Sequence, residues 1–231
     1  MTVQALSGDP MWALPDYQDR GTTAIQKAAD YNAKVTAPIE RFVGVQFDVE
    51  PHGLNGNNGY PDRWNTDRVG TIKTWLDNAR IWTAQARRLG LRFGAAMLAF
   101  LDNTTNYPVP PEYASAGSRV SDIVTDIHDY VVVMGYRDTA QAVYDLDIDE
   151  VSYAKTPKVI VAFESTAQTP TNVTFMEEGF FAMEASMAAV HGMLKSQPGY
   201  KGVAVHAFRQ WEPFIAAVGP KAPVRSLNKV R

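Results

Sequence analysis

Phe42-Val43-Gly44-Val45-Gln46-Phe47-Asp48-Val49-Glu50-Pro51 reads as a buried β-strand that carries two carboxylates at its C-terminal end. Strand side chains alternate between faces with period 2, so Val43, Val45, Phe47 and Val49 share one face. Gly44, Gln46, Asp48 and Glu50 share the other. A strand that is apolar on one side and small, amide or acidic on the other suits a (β/α) barrel, where one side meets outer helices and the other looks into the barrel mouth.

Outward from this stretch, short apolar strands alternate with helical patterns. Strands are expected at 3–7, 42–50, 91–101, 130–136, 158–164 and 202–208. Helices are expected at 19–33, from Thr66 or Asp67 to Leu89, at 114–127, 139–155 and 175–196, with a closing helix from near Pro213. The first has an apolar face of Ala24, Ile25, Ala28, Ala29 and Tyr31. In the second, Thr66 and Asp67 are N-cap candidates and Gly90 is the stop signal. Trp75 and Trp82 lie seven residues apart on it and are read as packing residues. Residues 219–231 form a basic, Pro-containing tail, which leaves 1–218 as one barrel-like domain.

The β-α alternation predicts a parallel sheet. The competing architecture is an open doubly wound sheet, but no Gly-rich phosphate loop follows the first strand. Polar residues instead gather at the C-terminal ends of nearly every strand. The sequence therefore predicts an α/β fold of the (β/α) TIM type, incomplete, with about six βα units where a closed barrel has eight.

A chain of 231 residues, 45% hydrophobic and 20% charged, can bury a sizeable core. A net charge of −3 gives no electrostatic case for nucleic acid or an anionic membrane. The absence of cysteine excludes disulfides, thiolate metal sites and a cysteine nucleophile. No segment reaches the roughly 18 apolar residues of a membrane span. The expectation is a soluble protein, either cytoplasmic or exported with its leader absent from this sequence.

The strand ends supply Asp9 and Trp12; Asp48 and Glu50; Asp102 and Asn103; Tyr136, Arg137 and Asp138; Glu164; and His206, Arg209 and Trp211. Carboxylates and aromatics on one rim point to a carbohydrate substrate or ligand, since aromatic faces stack on sugar rings and paired carboxyls cleave glycosidic bonds. Asp48 would raise the affinity of Glu50 for a proton through its like charge. Catalytic candidates are Glu50, Asp48, Glu164 and Tyr136. Binding candidates are Asp9, Trp12, Asp138, His206, Arg209 and Trp211. Plainer structural roles exist: Tyr136 as a core tyrosine with a satisfied hydroxyl, and His206 as a lone packing histidine rather than a ligand. His52, His128 and His191 are scattered, so no metal site and no cofactor is expected. Neither Ser7-Gly8-Asp9 nor Glu164-Ser165-Thr166 makes a nucleophile elbow.

Phe47-Asp48-Val49-Glu50-Pro51, Met134-Gly135-Tyr136-Arg137-Asp138 and Trp211 resemble the barrels of family 18 glycoside hydrolases, the chitinase-like group. The resemblance implies Glu50 as general acid, Asp48 orienting a substrate N-acetyl group and Tyr136 holding it. Where that family has two more Asp residues upstream, this chain has Val43 and Gln46. Gly8-Asp9-Pro10-Met11-Trp12-Ala13-Leu14-Pro15 also looks like a group of bacterial barrel proteins of uncertain activity. Aligned this way, residues 42–50 are the fourth strand and the first two βα units are absent. Retaining glycosidases with acid and nucleophile after the fourth and seventh strands would instead use Glu50 and Glu164, with Asn expected where Val49 stands. The alternatives are a catalytically silent carbohydrate-binding or scaffold barrel, or a truncated barrel whose open edges pair with another chain.

Overall fold

The structure is a computed structural model and describes residues 2–207. Phe208, Arg209, Trp211, the closing helix from Pro213 and the tail 219–231 lie outside the described residues. Six strands, β1 (Val3–Ser7), β2 (Phe42–Phe47), β3 (Arg92–Leu98), β4 (Tyr130–Met134), β5 (Val159–Glu164) and β6 (Tyr200–His206), form one sheet. Its order is β1-β2-β3-β4-β5-β6, and every neighbouring pair is parallel. The helices are α1 (Gln18–Lys34), α2 (Arg63–Thr66), α3 (Arg68–Arg88), α4 (Val120–Ile127), α5 (Ala140–Tyr153) and α6 (Phe180–Leu194).

A doubly wound sheet has a point where strand order reverses; this one runs in sequence order throughout. The chain is an incomplete (β/α) barrel, an open sheet curled around one axis. Curling is visible across the concave face, where the Tyr130 hydroxyl on β4 hydrogen-bonds Gln4 on β1 and, at 3.4 Å, Gln46 on β2.

The alternation expected over 42–50 holds in part, Val43 being 37% exposed. Val45, Phe47 and Val49 are buried on the helix side, while Gln46 faces Tyr130 inside the curl. Phe47 is the hub of the helix-side core, with ring centroids of Trp12, Trp82 and Phe93 at 5.0, 5.3 and 4.9 Å. Burying each such ring contributes roughly 1.5–3 kcal/mol. The Trp82 indole N–H, which burial would otherwise strand, donates to the Gln18 carbonyl at 2.9 Å.

Element boundaries shift for local reasons. β2 ends at Phe47; the Asp48 N–H still donates to the Ser7 carbonyl at 2.9 Å, and a 3-10 turn at Pro51–Gly53 then carries the chain away. Asp67, not Thr66, caps α3, its carboxylate accepting from the Gly70 N–H at 3.1 Å. α4 begins at Val120 rather than near 114, because Asp122 accepts from the Arg119 N–H at 3.1 Å and fixes the first turn there. No helix among the described residues is long and apolar enough to cross a membrane.

Candidate active site

Side chains from four strand ends meet at the C-terminal mouth of the curl. Asp48 and Glu50 follow β2, Tyr136 follows β4, Glu164 closes β5 and His206 closes β6. Gly8, just past β1, passes so close to Asp48 that a Cβ there would overlap the Asp48 carbonyl. Glu164 is 1% exposed. One of its oxygens accepts from the Thr166 N–H at 2.7 Å and the Thr166 hydroxyl at 2.8 Å. The other meets His206 Nδ1 at 2.9 Å and the Gln168 amide at 3.3 Å. The Tyr136 and His206 rings stack with centroids 6.2 Å apart and planes 25° apart.

The electrostatics follow from this packing. Burial pushes the Asp48 carboxyl up, Glu50 beside it adds to the rise, and His206 and His52 oppose it. Asp48 Oδ1 is buried with no partner among the described residues. Burial would also push Glu164 up, but the hydrogen bonds from His206 and Thr166 outweigh it and hold the carboxylate below its ordinary value. His206 is raised by its hydrogen bond to Glu164, with burial opposing and the charges of Glu164, Asp48 and Glu50 assisting. Tyr136 is raised by burial and then by Glu164, Asp48 and Glu50.

Other candidates sit elsewhere. Asp9 caps a 3-10 turn, accepting from the Met11 N–H at 2.8 Å and from the Tyr60 hydroxyl at 3.3 Å. Trp12 packs edge-on against Phe47 and Trp82, in the layer between sheet and helices. Asp138 is partly buried on the turn after β4. Arg209 and Trp211 lie outside the described residues.

No protein-family model matches the sequence, and no curated protein matches it. Among solved structures, the chain is similar to a GH18 chitinase from Pseudoalteromonas aurantia, at 14% identity over 82% of this chain and 62% of that one, with a TM-score of 0.50. It is also similar to a chitinase from Chromobacterium violaceum, at 13% identity over 71% and 50%, TM-score 0.46. The PgaB (BpsB) glycoside hydrolase domain from Bordetella bronchiseptica gives 11% identity over 84% and 58%, TM-score 0.45. The likeness is one of fold, an incomplete (β/α) barrel. The chain spans between 50% and 62% of the length of these solved chains.

Within this incomplete barrel, the segments that follow β2 and β3 add residues that sequence reasoning missed. His52, set aside as scattered, puts Nε2 3.1 Å from a Glu50 carboxylate oxygen. Its ring lies 6.4 Å from Trp64, which in turn lies 5.5 Å from Tyr107. Burial raises the Tyr107 hydroxyl, Arg68 opposes this, and the Glu50 charge adds to it, so the aromatic pair borders the same carboxylate. The signal available was the spacing Glu50-Pro51-His52, in which a 3-10 turn folds the imidazole back onto the acid. A groove of about 710 Å³ between α3, α4 and the 112–118 loop lies on the outer helical layer and includes none of the strand-end residues. Among the described residues no cluster of three or more His, Asp or Glu is arranged to hold a metal ion. What the mouth does hold is a hydrogen-bonded pair, Glu164 with His206, and two electrostatically coupled carboxyls, Asp48 and Glu50.

Proposed function

We propose that the chain is a glycoside hydrolase acting on a polysaccharide or glycan, with Glu50 as its general acid/base. The observation that carries this reading is the Asp48–Glu50 pair at the barrel mouth, in which burial and then the Glu50 charge push the half-buried Asp48 carboxyl up and one of its oxygens has no partner among the described residues. Two carboxyls in unequal surroundings are what glycosidic cleavage requires: one group gives a proton while another takes one. Tyr136 and Tyr107, both partly exposed, supply aromatic surface for a sugar ring beside these carboxyls, while Trp64 is buried. The fold's likeness to a GH18 chitinase is consistent with this chemistry.

The test is hydrolysis of a panel of chromogenic glycosides and β-linked glycans, with and without N-acetyl groups. Turnover that Glu50→Gln reduces by about 10²–10⁴-fold is expected. Failure to cleave any member of the panel overturns the reading. A silent carbohydrate-binding barrel is the second reading, favoured by Val43 and Gln46 standing where the chitinase-like pattern has acids. It predicts glycan binding that survives Glu50→Gln without turnover.

A further inference from the structure

α6 is apolar on more sides than the sheet covers. Its inner face is Met183, Val190 and Leu194, spaced i, i+7 and i+11 and buried. Its outer face repeats that spacing: Phe181, Ala185, Ala188 and Gly192 stand at i, i+4, i+7 and i+11, and all four are exposed. Phe181 is 58% exposed, and Met193 beside the stripe is 40% exposed. A surface helix ordinarily turns charge toward water. Within α6 the only formal charge is Glu184, and the others stand at its ends. Glu177 and Glu178 are exposed in the turn before the helix, and Lys195 is exposed at its C-terminal cap. His191 lies in the last turn, its Nδ1 3.3 Å from the Tyr200 hydroxyl and its Nε2 without a partner among the described residues. The outer face is thus an apolar stripe, acidic toward its start and basic toward its end.

We propose that this face docks a second copy of the chain, the two α6 helices packing antiparallel about a two-fold axis. Charge decides both the occupant and the direction. An antiparallel pair sets Glu177 and Glu178 beside the partner's Lys195, and Glu184 beside the partner's His191. A parallel pair would set glutamate on glutamate and lysine on lysine, which costs affinity. The stripe is self-complementary in the same register. Ala185 faces the partner's Ala188, and Phe181 faces the partner's Gly192. A Cβ on Gly192 would meet nothing within 4 Å, so the space that the phenylalanine ring needs is open there. An isologous contact of this kind closes at two copies. The 15 residues of α6 make a helix about 22 Å long, so the contact is smaller than the roughly 800 Å² per partner of a standard stable complex. The dimer is therefore reversible. Each helix of a βα unit runs against its strands, so the two barrel mouths open at opposite ends of the pair and stay clear of the contact. This inference goes beyond the hydrolase reading and does not depend on it.

The chain has no cysteine, so cysteines introduced one at a time report the contact directly. Glu178→Cys and Lys195→Cys, both at exposed positions, are oxidised separately and as a mixture. The antiparallel pair brings position 178 of one copy to position 195 of the other and keeps identical positions about 25 Å apart. The disulfide-linked dimer is expected in the mixture, at about tenfold or more the yield of either protein alone. Ala188→Glu puts an unpaired charge at the centre of the contact. Added to both proteins, it should cut the cross-link about tenfold or more while the circular dichroism of the helices stays unchanged. Cross-links as abundant in the separate proteins as in the mixture overturn the antiparallel arrangement. A mixture that does not cross-link and sediments as monomer overturns the proposal, the face then being left to solvent or covered by residues 208–231 of its own chain. A dimer whose mass persists in Ala188→Glu places association on the strand edges and overturns it as well.

Discussion

At the scale of single residues, the Asp48 carboxyl is pushed up from its ordinary value. Two causes raise it, burial first and the charge of Glu50 second. Glu50→Gln removes only the second. The Asp48 carboxyl, followed by carbon-13 NMR titration, should therefore fall in that variant yet stay above the ordinary aspartate range of about 3.9. A return to the ordinary value would mean that the pair interaction, not desolvation, dominates. His52 offers a second check. It meets Glu50 at 3.1 Å with both side chains about one-third exposed, 34% and 35%. A contact so exposed is worth under about 1 kcal/mol, so His52→Gln should reduce kcat/KM roughly two- to fivefold without changing thermal stability. Asp48 and Glu50 were legible in the sequence because they stand two apart at the end of an apolar strand, although the strand itself stops at Phe47. The contact of His52 with Glu50 was not, because a 3-10 turn obeys no such period and only the fold of Pro51–Gly53 brings the imidazole back. Trp12 shows the converse: its position after a strand suggested a sugar platform, and its contacts are with Phe47 and Trp82.

At the scale of elements, the strands and long helices were legible because each carries its own periodicity and caps, while α5 concealed a buried acid pair. Asp145, Asp147, Asp149 and Glu150 together look like a solvated acidic face, yet Asp147 and Glu150 are 0% and 1% exposed. No oxygen of either has a hydrogen-bond partner among the described residues. Residues three apart share a helix face, and this face is turned inward, Asp147 toward Gly135 and Arg137 and Glu150 toward Asp102 and Arg119. Burial pushes Asp147 well up, with Glu150 adding to it and Arg137 opposing it. Burial likewise pushes Glu150 up to about 8. An acid whose folded value is raised favours folding while it is protonated, and that contribution is lost as pH climbs from the unfolded value through the folded one. Stability should thus fall between pH 5 and 9, by on the order of 4 kcal/mol from Glu150 alone. Glu150→Gln should flatten that fall, as read from urea melts across the range; an unchanged pH profile would refute the account. The same helix tests the Tyr136 turn. A Cβ at Gly135 would overlap the Asp147 carboxyl, so Gly135→Ala should destabilise by about 1–3 kcal/mol and lower activity through the adjacent Tyr136.

At the scale of the whole molecule, the six strands among the described residues leave β1 and β6 each with a neighbour on one side only. Among the described residues β1 pairs only with β2, and β6 only with β5. A closed barrel satisfies every strand's backbone groups; an open one leaves a row of donors and acceptors on each margin. Parallel strands are ordinarily buried on both faces, and their side chains are apolar for that reason. Here Leu6 and Val3 on β1 are 67% and 41% exposed, and Val203 on β6 is 38% exposed. Apolar side chains and unpaired backbone on the same strand favour pairing with another chain, since one contact satisfies both. The chain should therefore self-associate over about 1–100 μM, with a weight-average mass by sedimentation velocity or multi-angle scattering that rises with concentration. Charged side chains on an edge oppose such pairing, so Val3→Lys with Leu6→Lys should shift the distribution toward monomer while the circular dichroism of the helices stays unchanged. A mass that is monomeric and independent of concentration would show that the margins are protected. Loss of the helical signal in the double variant would assign these residues to folding rather than to association. The strand count made this edge problem visible in the sequence, but not its chemistry: which β1 side chains face solvent depends on the curl of the sheet, which no single strand encodes.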